Sequence, residues 1–412
     1  MTATLEPLRY LTFRLLVVGR TVTMLGNSVA PIALGFAVLD LTGSARDLGL
    51  VVGARSVTNV VFVLFGGVLA DRLPRGLVLV GASAFAAGTQ LAVAASVLTG
   101  TATIPLLIGL SAVNGIAGAI ALPAASALLP QTVPAEVRQQ ANAINRLGFN
   151  GAMILGASIG GVLVAAVGPG WGLAVDAAAF ALAAIVFSRL RVPSAAADPV
   201  DGVGGGPARV IAELREGWAE VSSRTWLWVV VAGAAVVNAA LAGGLHVLGP
   251  VVADETIGRL GWGLVLATET AGMVIGGIIA LRLRIRRFLR FGVICSLGDV
   301  LLLGALGLTP RLGVLLLCAF VAGVAFEQLG VAWETTIQEH VPPEKLARVY
   351  SYDMLGSLVA VPIGQLAAGP LADAYGARAT LVGAAVLCAL ALLGILLSRE
   401  VREIQNTLPA TG

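Results

Sequence analysis

Glu327 and Glu334 stand seven residues apart in an apolar stretch, about two turns of helix, so a helix there carries both carboxylates on one face. A charge at the centre of a membrane helix costs about 2.5–3.5 kcal/mol on insertion scales, which makes every such group a functional candidate. The chemistry available is proton exchange: a carboxylate holds a proton while its surroundings are dry and releases it when water or a cation approaches. Asp353 and Glu269 sit in similar stretches and can play the same part, while Asp299 has no obvious partner. Arg20 and Asn27 are again seven apart and share a face, while Asn114, Asn238 and His246 add polar points to other apolar stretches. With Glu327 they suit the few polar contacts of an otherwise apolar binding pocket. Plainer roles compete. Asparagines tie helices together, Glu327 can pair with Arg20 or Arg146, Glu269 can pair with Arg55, and His246 lies near a helix end where it can simply meet water.

The elements that must position these groups follow from composition. Of 412 residues, 58% are hydrophobic and only 12% charged, and the mean hydropathy is +0.93. A soluble domain carries about twice that share of charge. Turn-forming and charged clusters divide the chain into twelve apolar spans, near 13–40, 46–70, 77–99, 103–129, 139–167, 171–190, 225–249, 260–282, 288–308, 312–338, 346–371 and 376–398. Each is close to the roughly 20 residues that cross the hydrocarbon as a helix. The first span is too long for a signal peptide and contains Arg20 and Asn27, so it reads as retained. Cys295, Cys318 and Cys388 lie singly in apolar runs without ligand spacing, which argues against a metal site or a disulfide.

An even span count puts both termini on one side. That side holds Arg9, Arg14, Arg72, Arg75, Arg138, Arg189, Arg191, the cluster from Arg282 to Arg290, Lys345, Arg348, Arg399 and Arg402, whereas the other holds only Arg46, Arg259, Arg311 and Arg378. The positive-inside rule then places both termini in the cytoplasm of a cell whose inner, or plasma, membrane the chain spans. The basic residues follow topology and form no stripe, so nucleic-acid binding is not expected despite the net charge of +3. The longest inter-span segment, 191–224, opens as a Pro/Ala/Gly-rich linker and continues with Val210, Leu214, Trp218 and Val221 at helical spacing, which predicts an amphipathic helix on the membrane surface. It separates residues 1–190 from 225–412, each with six spans.

The two parts repeat one another. A shift of 208 positions lays Val133-Pro134-Ala135-Glu136 on Val341-Pro342-Pro343-Glu344, then Gly148 on Gly356, Gly156 on Gly364 and Gly161 on Gly369. Because the shift covers six spans, the repeats run parallel. The resulting fold class is an all-α membrane protein of twelve transmembrane helices in two parallel six-helix bundles.

After the second span comes Gly66-Gly67-Val68-Leu69-Ala70-Asp71-Arg72-Leu73-Pro74-Arg75-Gly76. It resembles the G-x-L-a-D-r-x-x-R signature between spans two and three of major facilitator superfamily transporters, nearest to the twelve-span exporters of macrolides, tetracyclines and siderophores. The resemblance implies alternating access and a cavity lined by spans one, four, seven and ten, which makes Glu327 the first candidate for a proton carrier and Glu334 the second. It also implies a conformational latch formed by Gly67, Asp71, Arg72 and Arg75, with Arg146 at similar depth. Departures accompany the matches. The second repeat's equivalent loop has no aspartate, GPLADAYGAR from Gly369 falls on the outer side, and the drug-antiporter signatures of spans four and five are incomplete at Ser111 and Ala157.

No phosphate-binding loop, HExxH or GxSxG occurs, so neither ATP drive, a cofactor nor enzymatic chemistry is expected. The expected partners are a small-molecule substrate, protons and the lipid bilayer, with the chain acting as a monomer. The favoured function is proton-coupled efflux of apolar or amphipathic molecules. The alternatives are a nutrient uptake symporter and a lipid or lysolipid transporter.

Overall fold

The computed structural model describes residues 3–72, 74–190, 222–283 and 285–406. The first six helices are α1 (Leu11–Thr42), α2 (Ala45–Arg72), α3 (Arg75–Leu98), α4 (Ile104–Leu128), α5 (Arg138–Val167) and α6 (Pro169–Ser188). Six more follow: α7 (Thr225–Thr256), α8 (Gly258–Ala280), α9 (Phe288–Leu308), α10 (Leu312–His340), α11 (Pro343–Tyr375) and α12 (Ala377–Leu397). A short α13 (Arg399–Glu403) closes the described chain. Each expected span therefore falls on a helix. Among the described residues eleven of these helices are long and apolar enough to cross a membrane. The one left out is α2, which carries Arg46, Asp47 and Arg55 in its first three turns. The linker and amphipathic helix expected over 191–224 lie outside the described residues, apart from Ser222 to Arg224.

Two helices depart from regular α geometry. Within α7 a π-helical turn runs from Gly244 to Leu248, and α9 is interrupted at Ser296.

The chain divides into two compact units, one of residues 1–198 with 253–267, the other of 199–252 with 268–412. In the first, α1 packs on α5 and α6, α3 on α4 and α6, and α2 on α4. The second repeats these pairings as α7 on α11 and α12, and α9 on α10 and α12.

Glycines set the closest of these contacts. A Cβ on Gly156 of α5 would stand 2.6 Å from the Leu25 carbonyl oxygen of α1, and one on Gly364 of α11 would collide with the Ala239 carbonyl of α7. Gly115 of α4 meets the Arg55 carbonyl of α2 in the same way, and Gly323 of α10 meets the Glu269 carbonyl of α8. The shift that carries Gly156 onto Gly364 also carries Gly115 onto Gly323, so the two units reuse one set of helix contacts. Apolar burial gives no net drive between helices in lipid, and van der Waals contact through small residues replaces it. The tight turns repeat as well: Gly168 between α5 and α6 has φ 90°, and Gly376 between α11 and α12 has φ 86°, a backbone region that glycine enters without strain.

Residues 253–267 join the first unit through two features. Arg259 bonds Asp40 at the end of α1 through both terminal nitrogens, one of them at 3.0 Å, reaches Asp254 with Nε at 3.2 Å, and lies 5.0 Å over the Phe36 ring. Close by in sequence, Gly263 and Gly161 of α5 face each other so tightly that a Cβ on Gly161 would stand 2.8 Å from the Gly263 Cα.

Ordinary helix propensity predicts that Gly→Ala inside a helix stabilises by about 0.5–1 kcal/mol. At Gly151 of α5, where an added Cβ meets nothing within 4 Å, Gly151→Ala should leave thermal unfolding in detergent unchanged or slightly raised. Gly156→Ala and Gly364→Ala should instead cost about 1–3 kcal/mol through overpacking. Equal behaviour of all three variants would show that these backbone approaches do not hold the bundles.

Candidate functional site

A cavity of about 260 Å³ lies inside the first unit. Apolar walls come from Met24 of α1, Phe149 of α5, and Phe180 and Phe187 of α6, with alanines of α3 and α4 between them. Polar groups enter from Arg20 and Asn27 of α1, Arg55 of α2 and Asn114 of α4. Three residues singled out from the sequence, Arg20, Asn27 and Asn114, therefore meet in one place.

Their bonding differs. Asn114 is buried and donates Nδ2 to Thr89 Oγ1 of α3 at 3.0 Å, so that amide serves as interhelical glue. Asn27 Oδ1 accepts from Arg55 Nη2 at 3.0 Å. Thr58, one turn after Arg55, donates to the Ala112 carbonyl at 2.7 Å and fixes α2 against α4. Arg55, offered to Glu269 by the sequence, turns its guanidinium to Asn27.

Behind Arg55 lies a group that the sequence reading passed over. Asp176 of α6 is 0% exposed, accepts from Gln90 Nε2 of α3 through Oδ2, and acts on Arg55 electrostatically. Its Oδ1 has no hydrogen-bond partner and lies where a Cβ on Gly26 of α1 would fall. The signal was present in GLAVDAAAF, a lone acid in an apolar run, and the intramembrane-charge argument applies to it as to the others. Gln90 had no such signal, because an amide in a helix is common.

The second unit holds the remaining candidates. Glu327 of α10 is half-buried, and its Cβ lies 3.1 Å from where a Cβ on Gly276 of α8 would stand. Glu334, two turns on, is exposed, with Gln338 Nε2 3.5 Å from its Oε1. Asp353 of α11 accepts from Trp333 Nε1 at 3.0 Å, and Trp333 in turn meets Trp226 edge-on with centroids 5.9 Å apart. Glu269 interacts electrostatically with Asp299 of α9, which is buried. Asn238 is half-buried in α7. His246 is exposed within the π-helical turn, where its Nδ1 lies 3.4 Å from Gln365 Nε2 of α11. Such turns concentrate at functional positions because the widened helix re-aims one side chain.

Of the latch residues, Gly67, Asp71 and Arg72 fall in the closing turns of α2, where only the backbone is described, while Arg75 opens α3 and Arg146 lies in the third turn of α5. Among the described residues no three His, Cys, Asp or Glu side chains are grouped to hold a metal. The arrangement can hold an apolar molecule with a few polar groups in the first unit. The second unit carries carboxylates within its helices, among them Glu269, Asp299, Glu327 and Asp353.

A family model described as Major Facilitator Superfamily matches residues 16–361. The chain is 29% identical over 390 residues to the Multidrug efflux pump Tap of Mycolicibacterium fortuitum, covering 90% of this chain and 91% of that one. Among solved structures it is similar to a mutant of the nucleoside transporter NupG, with a TM-score of 0.75 and 13% identity over 94% of this chain and 99% of that one. A bacterial homolog of the human lysosomal transporter Spinster, inward-facing and unoccupied, gives a TM-score of 0.70 and 17% identity over 97% and 98% of the two chains. At these identities the two structures bear on fold alone.

Removing one partner of a buried charge pair costs about 3–5 kcal/mol, whereas replacing both with apolar groups of similar volume is often neutral. Asp176→Leu alone should therefore lower thermal stability sharply, and Arg55→Met in the same chain should recover most of the loss. Additive losses in the double variant would mean that the two charges are not coupled.

Proposed function

The chain belongs to the Major Facilitator Superfamily, and from that premise we propose that it is a secondary active exporter of apolar or amphipathic small molecules, coupled to protons and working by alternating access. The observation that carries this reading is the cavity of the first unit, with three phenylalanine walls and a few polar contacts. Such a lining suits a lipophilic molecule with one or two polar groups. A sugar would call for more hydrogen-bonding partners. The likeness to a multidrug efflux pump over 90% of the chain supports export over uptake.

In this reading residues 1–190 and 225–412 act as two six-helix bundles joined by 191–224, alternately opening a midplane site. The chain works as a monomer in the inner membrane with both termini cytoplasmic, which the arginine distribution supports. Gly67, Asp71, Arg72 and Arg75, with Arg146, set the balance between states. Glu327 carries the proton: its partial exposure lets it exchange with water, and the nearby backbone of α8 limits how far that exposure can extend. Glu334, Asp353 and Glu269 are the next candidates, in that order. Asn238 and His246 contribute polar contacts from the second bundle.

The test uses proteoliposomes loaded with a pH-sensitive dye, an imposed proton gradient and a panel of lipophilic antibiotics. Drug-dependent proton flux is expected in the wild type and should be lost in Glu327→Gln while drug binding persists. Flux that survives Glu327→Gln moves the proton to Glu334 or Asp353. Drug movement without proton flux overturns the coupling, and movement of nucleosides or lysolipids in place of drugs overturns the substrate class.

A further inference from the structure

The cavity of the first unit carries a charge that its own walls leave unanswered. Two guanidinium groups line it, Arg20 and Arg55, and no carboxylate does. Arg55 is compensated, since Asp176 acts on it from behind the wall and Asn27 Oδ1 accepts one of its N–H groups. Arg20 has neither kind of partner: among the described residues of the first unit no carboxylate forms an ion pair with it and no acceptor bonds its guanidinium.

A guanidinium stays charged in a protein and presents five N–H donors in a planar fork that matches a carboxylate or a phosphate. Here that fork shares a cavity with Met24, Phe149 and Phe187, on a helix that is apolar enough to cross a membrane. A charge in such surroundings pairs with another charge or marks a substrate path. Asn27 of the same lining has its oxygen engaged by Arg55, which leaves its NH₂ group as a further donor. The hydroxyls of Thr23 and Ser83 on the same wall can donate or accept, so charge is what decides, and the uncompensated charge is positive.

We propose that this cavity selects an amphipathic anion, with a carboxylate or phosphate head on the Arg20 guanidinium and an apolar body among Phe149, Phe180 and Phe187. The proposal deepens the transport reading by naming the substrate class of the same cavity, and it rests on that reading for its physiological meaning. A lipophilic cation of equal size meets two like charges and no carboxylate on the cavity wall. The anionic head can come from a free amphipathic acid or from a membrane phospholipid, and these sources are separable by experiment.

Binding is measured without any gradient, so that a failed transport reading leaves the result interpretable. The purified full-length protein in lipid nanodiscs is dialysed to equilibrium against naphthalene-1-acetate or against 1-naphthylmethylamine, with empty nanodiscs as blank. The two probes share an apolar body and differ in the sign of the head. The acid should bind about tenfold tighter than the amine, the discrimination worth one charge-assisted hydrogen bond or more. That preference should vanish in Arg20→Gln and persist, weakened, in Arg20→Lys, which keeps the charge but loses the fork. The comparison of probes on the wild type and the Arg20→Lys variant keep the test informative if Arg20→Gln folds poorly. Native mass spectrometry separates the sources: a single phospholipid adduct on the wild type, absent from Arg20→Gln, assigns the head to a lipid, and an acid preference without an adduct assigns it to a soluble molecule. Equal or tighter binding of the amine, or an acid preference undiminished in Arg20→Gln, overturns the proposal.

Discussion

Everything in this molecule depends on how closely one helix backbone can approach the carbonyls of another. In water a bundle is held by apolar burial, but lipid offers no such drive and leaves contact distance as the main lever. Gly156 against Leu25 and Gly364 against Ala239 place α5 on α1 and α11 on α7 at separations that a single added methyl group would forbid. Gly115 and Gly323 do the same for α4 on α2 and α10 on α8. The repeat visible in the sequence is thus a repeat of contact points, and the twelve helices are two uses of one packing solution.

Close packing dictates where polar groups go. With no water in reach, each must find a partner inside the bundle or line a cavity. The residue whose carbonyl meets Gly115 is Arg55, and the one whose carbonyl meets Gly323 is Glu269, so the two repeats place opposite charges at one structural position. Around Arg55 the first unit gathers a carboxylate, Asp176, and the side-chain oxygen of an amide, Asn27, which offset the cation. Around Glu269 the second unit supplies another acid, Asp299. The same scaffold thereby yields a cationic interior in one repeat and an acidic one in the other.

The sequence made the helices legible and left their interior chemistry mostly hidden. Length and hydropathy located the twelve long helices, though not the short α13, and register located the repeated glycines, because both are properties of the chain read in one dimension. Arg20, Asn27 and Asn114 could be named as polar points for the same reason. That they share one cavity, and that Asn114 spends an N–H on Thr89 while Arg20 is left over, depends on partners as distant in sequence as α1 is from α6. Asp176 carried a readable signal, but its partner Gln90 did not, since nothing local distinguishes an amide that meets an acid from one that meets lipid or water. The π-helical turn around His246 was invisible as well: Gly243 and Gly244 there admit the close approach of Gly364 and Leu303, contacts that neighbouring helices supply.

The charge asymmetry has an energetic consequence for transport. An anion leaving a cytoplasm held negative moves with the membrane potential, about 2.3 kcal/mol for each elementary charge per 100 mV. A cation exported across the same membrane moves against it and must be driven by proton exchange at a carboxylate. With the proposed anion as cargo, the cavity belongs to the first regime, in which the potential supplies the drive for export. A bundle that has released an anion is left with an exposed cation, and its return carries that positive charge toward the negative cytoplasm, with the potential. In the proposed proton coupling, protonation of an acid such as Glu327 adds one more positive charge to that return stroke and increases the same drive. On that proposal the arginine and the glutamate act on the same leg of the cycle, and both let the voltage drive it.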